Sequence, residues 1–222
     1  MSKFILGDCL DPEYGMPSYP DKYFDLAIVD PPYGIGADIS AVAQGGQKYG
    51  TAAAKKSYYH GTGWDISPPH CDYFKEIRRV SKNQIVWGAN HFISRLPFDS
   101  SAWIVWDKEN GETDFADCEL AWTSFKCAVR KARFRWNGML QADMRQKENR
   151  IHPTQKPISL YRWLLENYAK PGDLILDTHV GSASSLIACE SMGFDYVGFE
   201  IDEGYYNAAK NRMSKGIQLI IQ

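Results

Sequence analysis

Long apolar runs, paired cysteines and a surplus of charge of one sign are all missing from this 222-residue chain. No segment nears the roughly 20 apolar residues that a membrane-crossing helix needs, which excludes such a span. The N-terminus, MSKFILGDCL, is too short and too soon acidic for a signal peptide. Five cysteines, at 9, 71, 118, 127 and 189, form no C-x-x-C pair and have no histidine at ligand spacing. That argues against a zinc site, and an odd, scattered set reads as reduced core thiols in a cytoplasm. A net charge of −2 and a pI near 6.2 exclude a global basic field for nucleic acid. Repeats and low-complexity tracts are absent as well.

What remains is enough for one domain, with or without an insertion, able to bury roughly 70% of its unfolded surface. Aromatics make up 14% of the residues, which suits either a large core or a site that stacks flat rings. One local basic run exists. KCAVRKARFRW sets Lys126, Arg130, Lys131, Arg133 and Arg135 close together, with Phe134 and Trp136 between them. It reads either as the solvated face of a strand or helix or as a contact for phosphates.

Short apolar runs alternate with helical periodicity. Residues 3–6, 25–30, 83–88 and 102–108 read as strands whose near-continuous apolarity is that of parallel strands covered on both faces. A fifth strand is expected at 118–125 and a helix at 71–82. The last third reads as a helix over 157–170, a strand at 174–177, a small-residue loop and a helix at 184–192. A strand at 196–202 and a helix at 203–213 complete a βαβ unit with an acid at the second strand's end. IQLIIQ, at 217–222, is open between an edge strand and a tail. Residues 34–66 show little periodicity, as functional or disordered loops do.

Three segments invite chemistry. In DLAIVDPPYGIG an apolar strand ends on Asp30, then Pro31 and Pro32 stiffen the corner and Tyr33 follows. Two prolines remove two donors and leave the Pro31 carbonyl free to accept. Two acceptors beside an aromatic face suit a planar group bearing an NH2, although a proline-rich turn with a packed tyrosine has the same letters. In ILDTHVGSASS, small residues follow a strand and open a helix, which lets a ligand approach the backbone or simply packs strand on helix. Neither the full G-x-G-x-x-G spacing nor a Walker lysine is present, so a dinucleotide or ATP is not indicated. Glu200, about twenty residues past Gly181, sits where an acid grips ribose hydroxyls. The third segment, RIHPTQKP at 150–157, reads alone as a linker.

Together these segments resemble the DNA amino-methyltransferases that use S-adenosylmethionine, in the circularly permuted (beta) motif order. In that family D-P-P-Y comes early, H-P-T-Q-K-P much later and the cofactor loop D-x-x-x-G-S-G-T/S-T/S last. Here they are Asp30–Tyr33, His152–Pro157 and Asp177–Ser185. The resemblance implies an α/β, Rossmann-like methyltransferase fold with a mostly parallel twisted sheet and helices on both faces. It implies one methyltransferase domain over 1–222: a catalytic part to about 106, a reduced target-recognition region at about 107–150, and a cofactor part from about 151. Catalysis would fall to Asp30, Pro31, Pro32 and Tyr33. Asp8, Cys9, Asp30, Thr154, Lys156, Asp177, Gly181, Ser182, Ser184, Ser185 and Glu200 would hold the cofactor. Lys48, Lys55, Lys56, Arg130, Lys131, Arg133 and Arg135 would hold DNA. No metal and no membrane are implied.

The implied activity is methylation of adenine N6 in flipped-out bases, because an aspartate rather than a serine opens the motif. Cytosine N4 methylation and a non-catalytic DNA- or cofactor-binding relative are the alternatives. The resemblance places the protein in a prokaryotic or phage-type cytoplasm, on the nucleoid when it acts. The chain departs from the pattern in three ways. Ala183 replaces a glycine, Thr178 and His179 replace Pro-Phe, and the recognition region is small. The last leaves relaxed recognition, loop 34–66 or a second copy in a homodimer to supply sequence choice, with the glycines after Tyr33 as hinges of that loop.

Overall fold

The computed structural model describes residues 1–37, 48–49, 52–53, 63–96, 99–111, 116–137, 140–145 and 147–220. For 48–49, 52–53, 137 and 216–220 only the backbone is described. Eight strands form one sheet: β1 (Lys3–Leu6), β2 (Phe24–Val29), β3 (Ser81–Trp87), β4 (Ile104–Asp107), β5 (Cys118–Thr123), β6 (Arg130–Arg133), β7 (Leu174–Asp177) and β8 (Asp195–Glu200). Their order is β1-β8-β7-β2-β3-β5-β4-β6. Neighbours are parallel from β1 through β3, β5 runs antiparallel to both β3 and β4, and β6 is parallel to β4. Only β5 therefore runs against the rest.

Among the described residues four α-helices cover the sheet: α1 (Cys71–Val80), α2 (Ile158–Tyr168), α3 (Ser184–Met192) and α4 (Glu203–Ile220). Side chains of a strand alternate between faces, and the core divides accordingly. Ala27, Val29, Val86 and Leu176 meet Tyr73, Phe74, Ile77 and Val80 of α1. Leu26, Ile28, Ile85, Trp87 and Ile175 meet Leu160 and Leu164 of α2, Leu186 and Ile187 of α3, and Ala209 and Met213 of α4. Both faces are buried, which is why these strands read as continuous apolar runs. No helix among the described residues is long and apolar enough to cross a membrane.

Three expectations change. α4 runs on to Ile220, past Gly216, so the segment that was open between strand and tail is helical as far as it is described. Pro157 is the N-cap of α2 rather than its first-turn residue. The thiols are not all core: Cys9 and Cys189 are buried, but Cys118 is exposed.

Candidate active site

Parallel strands place all their carboxyl ends on one edge of the sheet, where α/β proteins build their sites. Here the sequence puts an acid at each of three adjacent strand ends. Asp30 follows β2, Asp177 ends β7 and Glu200 ends β8. Gly7 and Asp8 follow β1 beside them, with the Gly7 amide donating to the Glu200 carbonyl at 2.8 Å. Segments that are distant in the chain thus lie along one ridge.

Asp30 is the centre of a buried polar network. Its Oδ1 accepts from the Tyr33 hydroxyl at 2.6 Å, and its Oδ2 from the Lys156 ammonium at 2.5 Å. Lys156 is 3% exposed, and its Nζ also reaches Glu119 Oε2 and the Tyr33 hydroxyl, each at 3.0 Å. The other oxygen of Glu119 holds Lys108 at 2.5 Å. Burial raises the Asp30 carboxyl above the usual range against the pull of Lys156. In Glu119 the two lysines overcome burial and hold the carboxyl down at about 2. Lys156 itself is raised: its two carboxylate neighbours outweigh its desolvation. Two part-buried acids and two lysines balance in charge, as ions withdrawn from water must.

Tyr33 is expected as an open stacking face, and the structure differs. Its ring lies against Gly88, where an added Cβ would come within 2.0 Å of Cε1, and it is stacked on the exposed His91 ring at 5.1 Å with 15° between planes. Gly88 ends β3 in the left-handed region, with φ +69°.

The loop after β7 is built from buried small residues. The Ser185 hydroxyl donates to Asp177 Oδ2, and the His179 amide donates to Oδ1 at 3.0 Å. Burial nevertheless pushes Asp177 up to about 7, with Asp30 and Glu200 adding repulsion. Ser182 and Ser184 share a hydroxyl bond of 3.1 Å, and Glu200 Oε2 accepts the Gly181 amide at 2.7 Å. Ala183, the departure from glycine, adopts φ +61°, ψ +23°, a conformation glycine takes without cost. Its methyl is fully buried in the α2–α3 core rather than exposed in the loop. Thr178 and His179, the second departure, bond to the Tyr73 hydroxyl of α1 at 2.5 and 3.3 Å.

Over this loop sits His152, whose ring carbons lie 3.6 Å from where a Gly181 Cβ would be. Trp64 and Tyr205 flank that ring at 5.2 and 4.3 Å. Burial, with Lys156 and Arg150 nearby, lowers His152 to about 3, so it is neutral near pH 7. Thr154 donates its hydroxyl to, or accepts from, His152 Nδ1 at 3.1 Å. The structure therefore separates two neighbours in H-P-T-Q-K-P: Thr154 stays by the small-residue loop, and Lys156 turns to Asp30. Asp8 is exposed, while the Cys9 thiol is buried in the α1-side core.

Of the expected DNA residues, Arg130, Lys131, Arg133 and Arg135 are all exposed on or just past the edge strand β6. Asp107 holds Lys131 at 3.0 Å and Arg133 at 3.6 Å, so part of that charge is balanced. Lys55 and Lys56 lie outside the described residues, and of Lys48 only the backbone is described. Gly34 and Gly36, expected as hinges, are instead tied down: their amides donate to the Asp65 side chain and carbonyl at 2.8 and 3.0 Å.

Sequence reasoning missed several residues. Glu119 was visible only as an acid within an apolar strand. Arg212 gave no local signal. It donates to the Ser182 carbonyl at 2.6 Å and to the Ser184 hydroxyl at 2.9 Å, and pairs with Glu148. Glu148 in turn accepts the Ile158 amide at the start of α2, at 2.9 Å. His70, Cys71 and Asp72 bring their ligand atoms within 4.8 Å of one another, but His70 and Asp72 are exposed and the His70 side chain caps α1.

Comparison with known proteins places the chain among relatives of one family. Residues 101–211, half of the chain, match the N6_N4_Mtase family, described as DNA methylase. Type II methyltransferase M.HinfI of Haemophilus influenzae is 21% identical over 96% of this chain and 68% of its own length. The structure of the M1.HpyAVI–SAM complex superposes with a TM-score of 0.58 at 17% identity, covering 96% of this chain and 99% of the other. PvuII DNA methyltransferase, cytosine-N4-specific, superposes at 0.60 and 13% identity, covering 99% and 91%.

Proposed function

This chain belongs to the N6/N4 family of DNA methyltransferases, which take their methyl group from S-adenosylmethionine, and from that premise we propose that it methylates the exocyclic N6 amine of adenine. The observation that carries the choice of base is residue 30: a part-buried carboxylate, rather than a serine hydroxyl, opens the P-P-Y corner. The fold alone does not separate the bases, because a cytosine-N4 enzyme shares it.

The ridge has the chemistry for the cofactor. Asp8, Asp177 and Glu200 present acids to a cationic ligand carrying a ribose, and Gly181 leaves room for no more than a methyl group beneath His152. In this reading Asp8, Cys9, Thr154, Asp177, Gly181, Ser182, Ser184, Ser185 and Glu200 line its seat, and Lys156 stands between that seat and Asp30. When bound, the cofactor supplies an electrophilic methyl group. The rest falls to the chain.

The amine of adenine is a poor nucleophile because its lone pair is delocalised into the ring. A carboxylate has about four lone-pair sites, so Asp30 can keep Tyr33 and Lys156 and still accept one N–H. The Pro31 carbonyl accepts the second, which favours a pyramidal nitrogen. Positioning and electrostatics then lower the barrier, and Asp30, its proton affinity raised by burial, takes the proton left on the methylated amine. The base reaches this site by flipping, at a cost of a few kcal/mol, and takes the place of the His91 ring on Tyr33. Arg133 and Arg135, at and just past the carboxyl end of edge strand β6, hold phosphates together with Arg130 and Lys131 along that strand. Residues 1–106 then form the catalytic part, 107–150 the recognition region and 151–222 the cofactor part.

Incubation with labelled S-adenosylmethionine and mixed-sequence DNA, followed by nucleoside analysis, should yield N6-methyladenine. The label should vanish in Asp30→Ala. Label in N4-methylcytosine would overturn the choice of base, and no transfer to any DNA would overturn the enzyme reading.

A further inference from the structure

Pro31 and Pro32 bring no N–H to the corner that carries Asp30, so the corner cannot brace itself through its own amides before Tyr33. The bracing comes from elsewhere in the chain. Oδ1 of Asp65 accepts the Tyr33 amide at 2.7 Å and the Gly34 amide at 2.8 Å. Its Oδ2 accepts the Ala37 amide at 2.8 Å, and its carbonyl accepts the Gly36 amide at 3.0 Å. Asp65 is 1% exposed and 32 residues from Tyr33. One buried carboxylate in a nest of three N–H groups makes charge-assisted bonds, the stronger class.

What this holds is the acceptor. Tyr33, gripped by its amide, donates its hydroxyl to Asp30, and its ring rests on Gly88. Gly34 is equally fixed: its φ is +75°, and a Cβ there would lie 2.4 Å from Pro68 Cδ. The residue before Asp65, Trp64, packs on His152 above Gly181. The dipeptide Trp64–Asp65 therefore touches both halves of the ridge.

We propose that Asp65 is a positioning residue for the methyl transfer, setting the Asp30–Tyr33 acceptor through the amides of Tyr33 and Gly34. The proposal rests on the methyltransferase reading above but not on the choice of base. Asp65→Ala removes all three acceptor contacts, and Asp65→Asn keeps one oxygen that can still accept from Tyr33 and Gly34. The amide hydrogen exchange of Tyr33 and Gly34, measured without cofactor, should accelerate at least about tenfold in Asp65→Ala and less in Asp65→Asn. With labelled cofactor and DNA, kcat should fall about 10- to 100-fold in Asp65→Ala and by a smaller factor in Asp65→Asn. The dissociation constant for S-adenosylmethionine should stay within about twofold in both, since a positioning defect at the corner spares the other half of the ridge.

Wild-type kcat in Asp65→Ala, or an equal loss of kcat and cofactor affinity in both variants, would overturn the proposal. If Asp65→Ala does not fold, Asp65→Asn decides alone, and wild-type kcat there overturns it. Transfer to cytosine by the wild type would end the adenine reading and leave this test intact.

Discussion

Asp177 gives the sharpest physical handle on the site. Its carboxyl is 2% exposed, and burial, with Asp30 and Glu200 adding repulsion, lifts it from 3.8 to about 7. The folded protein therefore keeps a proton that the unfolded chain loses above pH 3.8. Its contribution to stability is complete below that value, declines as pH rises, and is gone above about 7. From pH 5 the loss runs at about 1.4 kcal/mol per unit and slackens to half that slope near pH 7, roughly 2.3 kcal/mol in all. Asp177→Asn abolishes this slope, because an amide does not titrate and still offers an oxygen to the His179 amide. Relative to wild type, the variant should gain those roughly 2.3 kcal/mol on going from pH 5 to 7, which at this chain length is about 5–9 °C in Tm. Cofactor-free thermal melts at half-unit intervals should show the Tm of the variant minus that of wild type rising with pH. A difference that stays constant or falls would refute the buried-acid account of the β7 end.

Two further perturbations probe the frame around the ridge. Gly88→Ala forces a side chain into the left-handed region and into the Tyr33 ring, so it should cost on the order of 3 kcal/mol in denaturant melts and depress kcat more than cofactor affinity. Arg212→Met leaves the mostly buried Glu148 without its ion-pair partner. A loss of about 3–5 kcal/mol and weaker binding of S-adenosylmethionine are expected, with stability largely regained in Arg212→Met/Glu148→Met, as calorimetry would show.

How much of this was readable beforehand follows from how local each feature is. The βαβ unit from 174 to 200 carries its signals within itself: an apolar run, small residues, helical periodicity and a closing acid. Strand β6 does not, because Ala132 is its one buried residue and its pairing with β4 is a tertiary event. The end of α4 was unreadable because Gly216 signals a stop that the helix does not take. Asp30, Tyr33, Asp177 and Glu200 were legible because strand ends announce themselves in sequence. Asp65, Glu119 and Arg212 act on partners 31 or 32, 86 and 30 residues away, with no local pattern to mark them. Lys156 was visible, but its choice of Asp30 over the loop after β7 was not, since one residue's turn of the backbone decides it.

The strand order carries a last consequence. β2 and β7 are direct neighbours, paired in parallel at Leu26 with Ile175 and Ala27 with Leu176. The half that offers the acceptor and the half that offers the small-residue loop are thus joined by a seam of backbone, not by a linker. Nothing about that seam depends on which half is synthesised first. Cutting the chain in one connection and joining it in another would reorder the motifs and leave the ridge as it is, so the site belongs to the sheet edge and not to the direction in which the sequence is read.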